Sequence, residues 1–242
     1  MSKLVGRDFF PPQRDYNEIF DDFDHYVTAD TWTTVATDSG SIAVSDGANG
    51  VVKINPSDAT TEDNDETYLK GTTEMFKFAS GKPFVFEARV RPLFNTSTGA
   101  NFIVGLKDAV AANTLQDDGA GPPSSYSGAV FFVKDGDATW WAESSIATAQ
   151  TTVDTNITAT NNTWTELRIE GHDLSSTQTE IHFFIDGVEC GWDVTTSVGN
   201  KIAQRVTFAS ATEMQVCLGC KAGTANDAQY LDVDYAGCRQ TR

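Results

Sequence analysis

The chain has 242 residues, enough for one large all-β domain or two small ones and enough to bury a core without metal or disulfide staples. Its 34 acidic residues against 17 basic ones leave a formal charge of -17, a surface that repels nucleic-acid phosphates and anionic lipid and so argues against either as a direct partner. No run of about 18 apolar residues predicts a transmembrane helix, and MSKLVGRDFFPPQRD lacks the apolar stretch of a secretory signal, which points to synthesis in a reducing cytosol where structural disulfides are uncommon.

Residues 1–20 stand apart in composition. They carry Lys3, Arg7 and Arg14, the pair Phe9-Phe10, and Pro11-Pro12, which forces an extended path. We read them as an N-terminal arm that lies on either the parent domain or a neighbouring subunit, with Phe9, Phe10, Pro11, Pro12, Arg7 and Arg14 as its contact residues. From residue 21 onward the pattern is that of one all-β domain, 21–242. SIAVS and GVVKIN flank the turn Asp46–Asn49. In PFVFEARVRP, Phe84, Phe86, Ala88 and Val90 share one face and Glu87, Arg89 and Arg91 the other, as a half-buried strand requires. NFIVGLKD, SGAVFFVKDGD, TWWAES, TWTELRIEGHD, TEIHFFIDGVECGWD, TEMQVCLGCKAG and AQYLDVDYAGC continue the series, and only residues 198–206, VGNKIAQRV, look weakly helical. That makes about 12 to 14 strands, the spacing of a sandwich or barrel.

Two hairpins can be registered by hand. Asp186-Gly187 is a two-residue turn signal, which sets Ile185 opposite Val188, Phe183 opposite Cys190 and Ile181 opposite Trp192, all on one apolar face. His182, Phe184 and Glu189 take the other. Matching apolar faces at the C-terminal end pairs Met214 with Tyr235, Val216 with Val233 and Leu218 with Leu231. Cys217 then lies beside Asp232, Cys220 on the apolar side, and Cys238 past the last paired residues.

Groups that could carry chemistry are sparse. The C-x-x-C pair Cys217/Cys220 sits on a strand, so its thiols project to opposite faces, and neither a second ligand pair for zinc nor a helix N-terminus for redox work accompanies it. Four acidic residues in TEDNDET (61–67) are hard oxygen ligands without the spacing of an EF-hand, and we read them as a solvated acidic loop. His25, His172 and His182 lack metal-ligand spacing. Asp232 and Asp234, with Gln215 placed beside them by the hairpin register, share a strand face but have no glutamate partner of the kind glycoside hydrolysis uses. No catalytic residue, metal or cofactor is therefore assigned. Trp32, Trp164 and Trp192 fall in strand-like segments, where core packing is the default. Trp140-Trp141 must put one indole on each face, which makes this pair the candidate contact with a glycan or an interface.

The closing residues VCLGCKAGTANDAQYLDVDYAGCRQTR, the DGVECG hairpin, and the opening DDFDHYVTADTWTTVATDSGSIAV resemble concanavalin A-like (laminin-G-like) jelly-roll proteins, in the versions found among structural proteins of tailed bacteriophages. The likeness covers most of residues 20 to 240. It implies a two-sheet antiparallel jelly-roll sandwich. It also implies a non-enzymatic virion protein made in the host cytoplasm, with a capsid-surface decoration protein as the first expectation. Its partners would then be the major capsid protein or other virion subunits, and it would itself be a homo-oligomer. The alternative is a glycan-binding, lectin-like module of a head or tail appendage that touches host polysaccharide. A laminin-G-like domain of a bacterial cell-associated protein is the third reading. An intersubunit disulfide through Cys238 belongs to the virion reading if the particle matures outside the cell.

Overall fold

The alternation of residues 84–94 organises a whole sheet. The structure is a computed structural model that describes residues 15–26, 29–37, 40–45, 50–57, 62–95, 99–190, 203–208, 211–223 and 229–242. In it Phe84, Phe86, Ala88 and Val90 turn into the core, while Val85, Glu87, Arg89 and Arg91 turn out. The first eight strands are β1 (Tyr16–Asp21), β2 (Trp32–Ala36), β3 (Ser41–Ser45), β4 (Val51–Asn55), β5 (Glu66–Gly71), β6 (Phe84–Phe94), β7 (Ala100–Lys107) and β8 (Gly128–Lys134). The remaining eight are β9 (Asp137–Ile146), β10 (Ala149–Thr158), β11 (Thr165–Ser175), β12 (Gln178–Ile185), β13 (Val188–Glu189), β14 (Ala203–Thr207), β15 (Gln215–Ala222) and β16 (Gln229–Thr241).

Among the described residues nine strands form one sheet in the order β13-β12-β11-β6-β16-β4-β3, with β1 added to β16 and β14 to β12. Seven form the other, β10-β9-β8-β7-β15-β5-β2. Every pairing is antiparallel. The inner faces meet in one core that holds Phe86, Val90, Phe131, Trp140, Phe183 and Leu218, so the fold is the all-β two-sheet sandwich expected from the strand pattern. A second, smaller apolar cluster lies on the outer face of the seven-stranded sheet, where Val110, Leu115 and Tyr126 of the β7–β8 connection cover Tyr68, Ile103, Val130, Phe132 and Cys217.

Several expectations need correcting. β15 and β16 are not a hairpin: β15 pairs with β5 and β7 in one sheet, and β16 with β6, β4 and β1 in the other. Met214, Val216 and Leu218 do share the core with Leu231 and Val233, but across the sandwich rather than along a ladder. Residues 203–206 of the helical-looking stretch belong to β14, paired with β12; the rest of it, and Trp192, lie outside the described residues. The arm boundary at residue 20 falls inside a strand, because β1 pairs Tyr16 with Thr241 through Asp21 with Ala236. Arg7, Phe9, Phe10, Pro11, Pro12 and Arg14 lie outside the described residues. The Asp186-Gly187 turn stands as expected, with Ile185 opposite Val188 and the Cys190 N–H donating to the Phe183 carbonyl. Val188, however, is 40% exposed rather than part of the apolar face.

All four cysteines are free and buried. Cys220 and Cys238 face the main core and Cys217 the outer cluster, so the C-x-x-C thiols do project to opposite faces. Cys217 does not pair with its expected neighbour Asp232, which lies in the other sheet. Cys238 is 2% exposed and pairs with Ile19 and Phe86 in mid-sheet, which argues against the intersubunit disulfide that the virion reading left open. Burial pushes the Cys190 and Cys217 thiols up to about 12 and raises Cys220 and Cys238 as well, so the reactive thiolate is suppressed at all four. We predict that a thiol-specific alkylating reagent leaves the native chain unmodified by intact mass and labels all four cysteines once urea is added. Native labelling at Cys238 would contradict this placement.

Candidate functional site

Trp140 and Trp141 are adjacent on β9 and point to opposite sides of the seven-stranded sheet. Trp140 is fully buried between the sheets, edge-on to Phe131 at 6.4 Å between ring centroids. It cannot touch a glycan or a neighbouring subunit, and its place among the candidate contacts is withdrawn. Trp141 is half-buried on the outer face, where it stacks beside Phe132 of β8 at 6.2 Å. Its indole N–H donates to Asp137 Oδ2 at 3.0 Å, and the Lys134 ammonium sits 3.7 Å from its ring centroid. An indole held by a hydrogen bond at its edge and stacked on a second ring loses little freedom when something packs on it.

Trp141 lines a cleft of about 260 Å³, a little below the roughly 300–1,000 Å³ of sites for drug-sized ligands. Its floor is Phe132, Trp141 and Glu143; Gln150 and Thr152 of β10 form one wall. Gln116, Gly119, Ala120, Pro122 and Ser124 of the β7–β8 connection form the other. Gly121 makes the close approach of that connection possible: its φ is +75°, and a Cβ there would stand 2.9 Å from the Phe132 ring.

Glu143 is the one carboxyl among the described residues lining this cleft. It accepts hydrogen bonds from the Tyr126 hydroxyl at 2.8 Å, from Gln150 Nε2 at 3.4 Å and from the Thr152 hydroxyl. Burial raises its carboxyl above the usual range, and the Thr152 and Tyr126 donors oppose that shift without cancelling it. A carboxyl whose folded value is raised contributes stability below the ordinary carboxylate range and loses it as the pH rises through the folded value. Glu143→Gln should therefore gain stability relative to the native chain between pH 4 and pH 7, read as a difference in melting temperature that grows with pH. A difference that shrinks with pH would contradict the burial term.

The other groups singled out from the sequence sit elsewhere and are occupied. Asp234, at the bulge between Val233 and Tyr235, binds Arg89 at 2.6 Å, and Asp232 binds Arg91; the two guanidinium groups flank the Trp164 ring at 4.8 and 4.9 Å. Gln215 is in the opposite sheet, so the three do not converge. The acidic loop is solvated only at Glu62 and Asp63; Asp65 and Glu66 are buried. Lys221, 155 positions away in the sequence from Glu66, lies 3.5 Å from its carboxylate, and no local pattern announces that partnership. Among the described residues no group of three or more His, Cys, Asp or Glu side chains could hold a metal ion. On the outer face of the nine-stranded sheet, Phe20 is 64% exposed and stacks on Tyr235, and Val85 is 37% exposed. Together they border an open, largely apolar hollow.

The sandwich of these two sheets is a concanavalin A-like jelly-roll fold. An endo-1,3-beta-glucanase from Streptomyces sioyaensis superimposes with a TM-score of 0.59 at 16% identity, covering 96% of this chain and 98% of that one. Peanut lectin gives 0.58 at 10% identity, with 93% and 97% covered. The carbohydrate recognition domain of Emp47p gives 0.56 at 13% identity, with 91% and 93% covered. No family model and no curated protein matches the sequence.

Proposed function

We propose that this chain is a lectin-like carbohydrate-binding module that takes a saccharide in the Trp141 cleft and does not cleave it. The observation that carries the reading is the half-buried indole of Trp141 beside hydrogen-bonding groups of Gln150, Thr152, Gln116 and Ser124 in a sugar-sized hollow. Apolar stacking surface with a few polar groups around it is what a sugar ring, apolar on one face and hydroxylated at its rim, requires. The sandwich shared with a lectin and with a carbohydrate recognition domain supports the same reading. Binding without hydrolysis is favoured because the cleft contributes one carboxyl where glycoside hydrolysis in this style takes two. A glycan array followed by calorimetry on the hits tests it: saturable micromolar binding supports the module, and an array without hits sinks it.

A virion-surface subunit acting through protein contacts is the second reading. It rests on the sequence resemblance and on one structural observation, the exposed Phe20 and Val85 on the outer face of the nine-stranded sheet. Under it, the purified chain sediments as an oligomer that Phe20→Ser dissociates. A monomer at all concentrations would leave the glycan module alone.

A further inference from the structure

The connection between β7 and β8, residues 108–127, exceeds the about 12–15 residues beyond which structureless connections become uncommon in compact domains and are usually functional. This one is fixed from beneath. Lys221 on β15 has a side chain 1% exposed, and its ammonium donates to Asn113 Oδ1 at 2.8 Å, to the Leu115 carbonyl at 3.1 Å and to the Asp117 carboxylate. Glu66 of β5 completes the arrangement. Its Oε1 accepts the Asn113 N–H at 2.7 Å and its Oε2 the Tyr68 hydroxyl at 2.7 Å, whose oxygen accepts the Leu115 N–H at 3.1 Å.

Every one of these contacts with the connection falls on residues 113–117. The cleft wall begins inside that stretch, at Gln116, whose N–H donates to the Gly121 carbonyl at 2.8 Å and so closes the turn that carries Gly119 and Ala120. A buried ion pair adds little net stability over a well-packed apolar replacement. What it does supply is direction, because one ammonium with three N–H bonds fixes three acceptors relative to the sheet. Asn113 is held at φ +60°, a left-handed backbone that persists where its surroundings determine it.

We propose that Glu66, Tyr68 and Lys221 are positioning residues: a buried polar clamp that sets the loop wall of the cleft and thereby decides which saccharides fit, a role that rests on the glycan-binding reading. None of the three lines the cleft. They act through the backbone of residues 113–121, and the wall is preorganised rather than closed over its ligand.

The test is the double variant Glu66→Gln/Lys221→Met, which removes both charges together and leaves neither buried alone. Hydrogen exchange should accelerate by about tenfold or more at amides 113–121 while the amides of β7 and β8 keep their protection. The glycan-array profile should broaden or weaken with Trp141 untouched. Asp117→Ala, at a side chain 53% exposed, should shift both readouts in the same direction by less, and it serves if the double variant does not fold. Unchanged protection at 113–121 overturns the clamp, and a loosened loop with an unchanged saccharide profile overturns its role in selectivity. If the native chain binds no saccharide at all, the glycan reading falls, while the exchange result still decides the clamp.

Discussion

Trp140→Ala should cost about 3–5 kcal/mol of folding stability, the range for removing a large buried aromatic side chain. The indole is fully enclosed in the main core and edge-on to Phe131, which in turn stands edge-on to Phe183 at 5.3 Å. Its loss therefore opens a void between the sheets and unseats two further rings. The backbone of Trp140 is tied into the structure as well: its carbonyl accepts the Thr155 hydroxyl at 2.6 Å, across the bulge between Asp154 and Ile157. That side of the contact survives the substitution, so the loss reads on packing alone. Urea denaturation checks it, and a midpoint unchanged from the native chain would place Trp140 outside the core.

Trp141→Ala, one residue on, should do the opposite. Under the glycan-binding proposal, truncating an aromatic anchor at a binding site costs about 2 kcal/mol or more, roughly a 30-fold weaker dissociation constant for a saccharide held in the cleft. Stability should change far less than for Trp140, because the side chain is already partly in solvent and packs against one neighbouring ring and one lysine. Calorimetric titration of both variants with the same sugar separates the roles: Trp140→Ala lowers the unfolding midpoint, Trp141→Ala lowers affinity. Equal affinity in Trp141→Ala and the native chain would remove the cleft from consideration.

The sandwich was legible from residues such as 84–94, because a strand with one face in the core and one in water must alternate. The opposed indoles of Trp140 and Trp141 followed from the same period of two. The β15–β16 relation was not legible, and the reason is geometric. Two strands facing each other across a sandwich turn apolar side chains toward one another just as hairpin partners share an apolar face, so matching Val216 with Val233 cannot tell stacking from pairing. β15 adds to this by being buried on both sides, the β7–β8 connection covering its outer face. β14 was hidden by Gln204, a buried polar residue at an inward position, whose amide donates to the Ala142 carbonyl at 3.1 Å. The cleft wall and its clamp were out of reach altogether, since they depend on Glu66, Asn113 and Lys221 meeting across long separations in the sequence.

β1 and β16 run antiparallel to their last residues, and the Arg242 N–H donates to the Asp15 carbonyl at 3.1 Å. Asp15 and Arg242 therefore lie side by side at one end of the nine-stranded sheet. The Trp141 cleft opens on the far side of the other sheet. A tether attached at Arg242 would hold the sandwich by one sheet and leave the cleft on the other sheet free.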